Sequence, residues 1–284
     1  MIKFCFFLIW SCIYGLIYEY NKIGNGEKIL REKGVMMMDP IAFTILGIPI
    51  RWYGLLISLG MVIAVLLMVK RAPRYRISSD KSIDIILWSI PVGVIGARLY
   101  YVIFNWSYYQ GDIMKMINLR SGGLAIHGGL LAGVLFSAFL CRLWNIRILD
   151  FFDLGSPCVA IAQAIGRWGN YFNQEAYGRP TDLPWAILID GVRVHPTFLY
   201  ESLWNFGIFI FLMLLERRRR FEGQLFYYYL LLYSFARFFI EGLRTDSLML
   251  GPIRVAQLIS AIGFIVALVI LIKKRNRSGK LRFR

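Results

Sequence analysis

The chain has 284 residues, of which 58% are hydrophobic and 16% aromatic, and a mean hydropathy of +0.57; it is too apolar for an ordinary soluble domain. Its 33 Lys and Arg against 17 Asp and Glu leave a formal charge of +16, which in a soluble protein would point to nucleic acid. Here the cations collect in short blocks between apolar runs, the pattern of cytoplasmic membrane loops, so a nucleic-acid partner is not expected.

Residues 1–35 differ from the rest of the chain. Ile2 to Tyr20 is one apolar, aromatic run with a single early lysine, and Asn21 to Gly34 is polar. An extra anchor helix, a signal peptide and an upstream start codon compete as explanations. No small-x-small cleavage site follows the run, which disfavours a signal peptide. Lys33-Gly34-Val35 before Met36-Met37-Met38 can be encoded as AAA-GGA-GTG, a purine-rich ribosome-binding sequence. Residues 1–37 are therefore expected to be an extension added by an upstream start. An intact mass that includes residues 1–35 would end that expectation.

From Ile50 onward, apolar runs of about twenty residues predict membrane-spanning helices. Seven are expected, near 50–69, 83–104, 124–141, 151–166, 197–215, 224–241 and 255–272. One set of connections holds Lys70, Arg71, Arg74, Arg76 and Lys81, then Arg142 and Arg147, then Arg217 to Arg220, then the cations of the tail 273–284. The alternate connections hold Arg51, Lys115, Arg120, Arg167, Arg179, Arg193, Arg244 and Arg254. Eighteen against eight, in strict alternation, puts the tail in the cytoplasm and Met38 outside. The expected fold is an all-α polytopic membrane protein spanning 38–272. The connection Arg167 to Pro196, between the fourth and fifth helices, should form a small extracytoplasmic cap. Within it, Ala186 to Val194 alternates about Asp190-Gly191, a hairpin signal. Cys5, Cys12, Cys141 and Cys158 lie in or beside apolar runs without metal-ligand spacing and read as packing residues.

The stretch Gly166 to Arg179, G-R-W-G-N-Y-F-N-Q-E-A-Y-G-R, is too polar to face lipid, where unpaired polar groups cost several kcal/mol each, roughly. The loop charges put it outside, and other polar residues fall at the same depth. They are Tyr53, Arg98 and His127 (within G-G-L-A-I-H-G-G), then His195, Tyr200 and Glu201. Tyr233, Arg237 and Glu241 share one helix face at i, i+4 and i+8. Each has a plainer reading. Arg98 can snorkel to head groups, and Arg237 with Glu241 can be a helix-spaced ion pair. His127 can be a packing histidine, Tyr53 beside Trp52 can belong to an aromatic belt, and the glycines can serve close helix contact. None of these explains why all of the groups share one leaflet. Arginines and tyrosines beside lipid suit a phosphate-bearing head group. Glu175, Glu201 and Glu241 can orient the arginines, Asn170 or Asn173 can read hydroxyls, and His127 can accept a proton near neutral pH. A phospholipid-handling enzyme of the extracytoplasmic leaflet is the reading. The alternatives are a small lipid transporter or flippase, which would spread ionisable groups across the bilayer, and a non-catalytic head-group binder.

The same residues resemble the motifs of bacterial prolipoprotein diacylglyceryl transferases. The match includes the G-R-W-G-N-Y-F-N-Q-E-A-Y-G-R stretch, W-Y-G at 52–54, G-G-L-A-I-H-G-G at 122–129, H-P-T-F-L-Y-E at 195–201 and R-F-F-I-E-G-L-R at 237–244. Trp168, Tyr171 and Thr245 depart from the family's commoner choices. The resemblance implies a bacterial inner-membrane enzyme without metal or organic cofactor. Its partners would be phosphatidylglycerol and prolipoprotein signal peptides with a lipobox cysteine. It would move the sn-1,2-diacylglyceryl group to that thiol, giving a thioether and glycerol-1-phosphate. A free thiol has a pKa of about 8.5 and must be deprotonated, and the expelled phosphate ester needs fixed cations. On this resemblance Arg167 and Arg237 are expected to bind the phosphate and stabilise the leaving group. His127 is expected as the base, with Tyr53 and Tyr233 as rivals. Glu175, Glu201 and Glu241 would hold the arginines and head-group hydroxyls, and Asn170 would fix the donor. Gly178 would allow close backbone approach or a turn with φ > 0, and Arg98 and Arg244 would lie along the path of the substrates.

Overall fold

The computed structural model describes residues 39–45, 48–119 and 122–280; the expected extension 1–37 and the cations Arg120, Arg282 and Arg284 lie outside them. The described chain is mainly helical, as expected, with three short two-stranded hairpins. It divides into two compact units, one comprising residues 69–151 of the described chain and the other 39–68 with 152–280.

Among the described residues six helices are long and apolar enough to cross a membrane: Trp52–Tyr75 including a closing 3-10 turn, Ser79–Phe104, Ile126–Leu143, Ile148–Phe172, Thr197–Glu216 and Val255–Arg275. The remaining predicted span forms as the 20-residue helix Gln224–Leu243. Its four tyrosines, Gln224, Arg237 and Glu241 lower its hydropathy, so composition alone does not mark it as a span.

In the first unit, α2 (Ser79–Phe104) is followed by two short helices, α3 (Trp106–Tyr109) and α4 (Ile113–Ile117), and then α5 (Ile126–Leu143). α2 packs along α5 on small residues. A Cβ on Gly128 would collide with Tyr100 and with the carbonyl of Gly96, and one on Gly96 with Ala132. Small faces let the backbones approach, and dispersion between them replaces the hydrophobic drive that lipid removes. Ser89 and Ser137 hydrogen-bond across the same seam at 2.8 Å. The plainer reading of the glycines therefore holds for Gly128 and Gly129.

The second unit contains most of α1 (Trp52–Arg71) and of α6 (Ile148–Phe172), with α7 (Thr197–Glu216), α8 (Gln224–Leu243) and α9 (Val255–Lys280). α8 packs against both α7 and α9. Ala160, Ile208, Leu212 and Leu225 form a buried cluster flanked by Phe209, Tyr228, Tyr229, Leu232 and Tyr233. The N-terminus of α8 is capped from α6. Asp153, fully buried, accepts from the backbone N–H of Gly223 and of Phe226, each at 2.8 Å, and pairs with Arg219 at 2.7 Å. A carboxylate there meets orphan N–H groups and the positive end of the helix dipole.

Two differences from expectation concern the site. Helix α6 runs to Phe172 rather than ending near 166, so Gly166 to Phe172 is regular helix and the connection to α7 begins after it. Continuing the helix keeps the backbone of this polar stretch internally bonded. Ahead of α1, Ile41–Ile45 (β1) and Ile48–Arg51 (β2) pair as an antiparallel hairpin that the apolar run at 48–50 had hidden. Trp52, at the end of this hairpin, stacks on Phe172 with ring centroids 4.9 Å apart. The hairpin expected about Asp190-Gly191 forms, with β3 (Ile187–Ile189) and β4 (Val192–Val194) joined through Asp190 and Gly191, both at positive φ. A third hairpin, β5 (Met249–Leu250) with β6 (Ile253–Arg254), precedes α9.

Candidate active site

The end of α6, the start of α7 and the end of α8 meet in a chain of buried charges. Glu201, 5% exposed, lies between two arginines. Arg167 reaches one of its oxygens through Nε at 2.5 Å, and Arg237 reaches the other through Nη1 at 2.6 Å. Arg237 then spends Nη2 on Glu241 at 2.7 Å. The Arg237–Glu241 pair is thus helix-spaced, as its plainer reading holds, and also the end of a longer network. Two guanidinium groups and two carboxylates balance, which a low-dielectric setting requires, since one unpaired buried charge costs several kcal/mol, roughly. The network has an open end. The Nη groups of Arg167 have no protein partner among the described residues, and its side chain is partly exposed.

Around this network sit further expected residues. Tyr53 on α1 packs against Gly169, where an added Cβ would stand 2.6 Å from its ring. Its hydroxyl feels the charges of both Glu175 and Arg167. Asn170, one turn beyond Arg167, donates from Nδ2 to Glu175 at 3.1 Å. Gln174 and Ala176 take left-handed backbone on either side of Glu175, and Thr197 holds that turn by donating to the Ala176 carbonyl. Tyr233 stacks on Tyr229 with centroids 5.7 Å apart, one turn before Arg237.

Gly178 allows a close backbone approach and has no positive φ. Its N–H donates to the His195 carbonyl at 3.0 Å, it bridges to Arg244, and a Cβ would stand 2.6 Å from that of His195. Arg244 forks onto Asp246, with Nε at 2.9 Å and Nη2 at 2.7 Å. That bidentate contact holds the Asp246 carboxyl below its usual range. His195 meets the Tyr200 hydroxyl at 3.2 Å, which also accepts from the Trp185 indole at 2.9 Å.

His127 and Arg98 belong to the other unit. His127 is the second residue of α5 and is exposed. Arg98 does not snorkel. It is 4% exposed, and its donors go to backbone carbonyls of Lys115 (2.7 Å), Met116 (2.9 Å), Asn118 (2.9 Å), Gly122 and Gly123 (2.9 Å). It also lies over the Tyr109 ring. Gly122 and Gly123 turn through positive φ to present those carbonyls. Arg98 therefore fixes the segment that leads into His127.

Among the described residues no group of three His, Cys, Asp or Glu side chains is placed to hold a metal. What the network can do is hold a guanidinium fork rigid toward an anion, because its own charges are already balanced.

The model of the family described as "Prolipoprotein diacylglyceryl transferase" matches residues 40–273. The chain belongs to the prolipoprotein diacylglyceryl transferase family. A phosphatidylglycerol–prolipoprotein diacylglyceryl transferase of Clostridioides difficile strain 630 is 52% identical over 247 residues, covering 85% of this chain and 98% of that one. Proteins of the same name from Finegoldia magna and Clostridium novyi are each 48% identical, covering 84% and 87% of this chain and 97% and 100% of theirs. All the site residues above fall inside the family match.

Sequence reading missed some residues that support or adjoin this network. Asp246 clasps Arg244, Arg254 donates to the Glu241 carbonyl, and Gln163 bonds Tyr229. Gln163 did carry a signal, being an amide within an apolar run four residues before Arg167.

Proposed function

We infer that the chain transfers the diacylglyceryl group of phosphatidylglycerol to a prolipoprotein, the reaction that the names of its relatives give for those proteins. The observation that carries this reading is the Arg167–Glu201–Arg237–Glu241 network inside the family match. Arg167 presents its Nη groups to the donor phosphate. Arg237, held between two carboxylates, fixes Glu201 and adds positive charge where the leaving group forms. The acceptor is the lipobox cysteine. Its thiol loses a proton to His127, with Tyr53 and Tyr233 as the other candidates, and the thiolate attacks the glyceryl carbon that bears the phosphate. The carbon–oxygen bond breaks, a carbon–sulfur bond forms, and glycerol-1-phosphate leaves. Asn170 and Glu175 hold the donor's head-group hydroxyls. Arg98, whose donors are spent on the loop, is a positioning residue for His127, and Arg244 with Asp246 braces Gly178 at the rim. The site works at the extracytoplasmic leaflet of the bacterial inner membrane, a reading supported by the alternation of loop cations.

The test is reconstitution of the purified chain with phosphatidylglycerol and a lipobox peptide. The expected product carries one added diacylglyceryl unit on cysteine, and a peptide of unchanged mass would overturn the reading. In the same assay His127→Gln should lose the limb of the pH–rate profile that reports the base. A profile like that of the unmodified chain would pass the role to one of the tyrosines.

A further inference from the structure

Beneath the charged network lies a second polar layer that the transfer chemistry does not use. α6 carries Gln163 one turn before Arg167, and α8 carries Tyr229 one turn before Tyr233. The Tyr229 hydroxyl donates to Gln163 Oε1 at 2.9 Å, and Tyr229 packs on Tyr233. Burying an amide in the apolar middle of a helix costs energy unless it is bonded. Gln163 is half-buried and only half bonded, since its Nε2 donors have no protein partner among the described residues. The tyrosine occupies the amide oxygen and so fixes which way the amide nitrogen faces.

Four residues of helix separate Gln163 from Arg167, a step of about 6 Å toward the middle of the span. A phospholipid whose phosphate sits at Arg167 has its ester carbonyls a few bonds deeper, at that level. They are its last strong acceptors before the hydrocarbon begins. A free amide N–H pair at that depth has one fitting partner in such a lipid.

We propose that Gln163, oriented by Tyr229, donates to an ester carbonyl of the donor lipid and so makes the site selective for diacyl over ether-linked phospholipid. This rests on the proposed function, because it takes the phosphate to be at Arg167. The bond sets the depth of the glyceryl group, and with it the distance from the thiolate to the carbon it attacks.

The test compares diacyl phosphatidylglycerol with its dialkyl ether counterpart, which lacks both carbonyls, as donors for a lipobox peptide. The unmodified chain should use the ether about tenfold less efficiently in kcat/KM, the size expected for one lost hydrogen bond in a site of reduced water. Gln163→Met keeps the length and should lower the diacyl rate by about tenfold while leaving the ether rate within about twofold. Tyr229→Phe keeps the stack on Tyr233 but frees the amide to rotate, and should erode the preference by about threefold. An equal loss for both donors in Gln163→Met, an undiminished diacyl preference in that variant, or no preference in the unmodified chain would each overturn the inference. Transfer from neither donor by the unmodified chain would instead remove the proposed function on which it rests.

Discussion

At the scale of single residues, Glu201 is the side chain on which the site turns. Arg167 and Arg237 come from different helices and share no contact except through its carboxylate. Arg237 in turn serves two carboxylates, 5% and 3% exposed, with one planar fork. Lysine has a single nitrogen on a flexible stem and cannot span both. Arg237→Lys should therefore leave one buried carboxylate without a close partner and lower kcat/KM by about a hundredfold or more, since breaking such a pair costs roughly 3–5 kcal/mol. Steady-state transfer kinetics check this, and turnover within threefold of the unmodified chain would show that the double contact is dispensable.

At the scale of elements, the seam between α2 and α5 shows how differently two glycines of one helix can behave. Gly128 has no room for a methyl group, whereas a Cβ on Gly133 would meet only the Ser89 carbonyl, at an ordinary 3.8 Å. Gly128→Ala should push the two helices apart and destabilise the chain by roughly 1–3 kcal/mol. Gly133→Ala should be neutral or raise stability by up to about 1 kcal/mol, through the better helix propensity of alanine. Thermal midpoints in one detergent separate the two variants, and equal shifts would mean that the seam is not tight. On the proposed role of His127 the seam would also bear on chemistry, because His127 precedes Gly128 and any separation of α5 from α2 moves it.

At the scale of the whole molecule, the orientation proposed from the loop cations has a direct check. Leu188 on β3 and Arg218 in the cationic loop after α7 are both exposed. In a chain with its native cysteines replaced by serine, Leu188→Cys should react with a membrane-impermeant maleimide in intact cells. Arg218→Cys should react only after the membrane is opened. The reverse pattern would put the charged network at the cytoplasmic face and exclude a reaction with secreted precursors there.

Much of this was legible in the sequence, because hydrophobic runs and loop charge are set by the membrane and not by neighbouring helices. Seven helical segments form close to where that route places them, as does the Asp190-Gly191 hairpin. The sequence could not say where α6 stops. Gly166 to Phe172 is polar enough to read as loop, and packing of Tyr53 on Gly169 and of Trp52 on Phe172 carries the helix onward. It could not separate Arg98 from Arg167 either, since both are arginines near helix ends. Contacts from distant segments make one a loop anchor with its donors filled and the other a fork with donors to spare. Nor could it pair Gln163 with Tyr229, which are 66 residues apart. Composition and periodicity mark which segments are long and apolar enough to cross a membrane, because that is a property of each segment alone. Which charge meets which partner depends on segments far apart in the chain, and only the tertiary structure decides it.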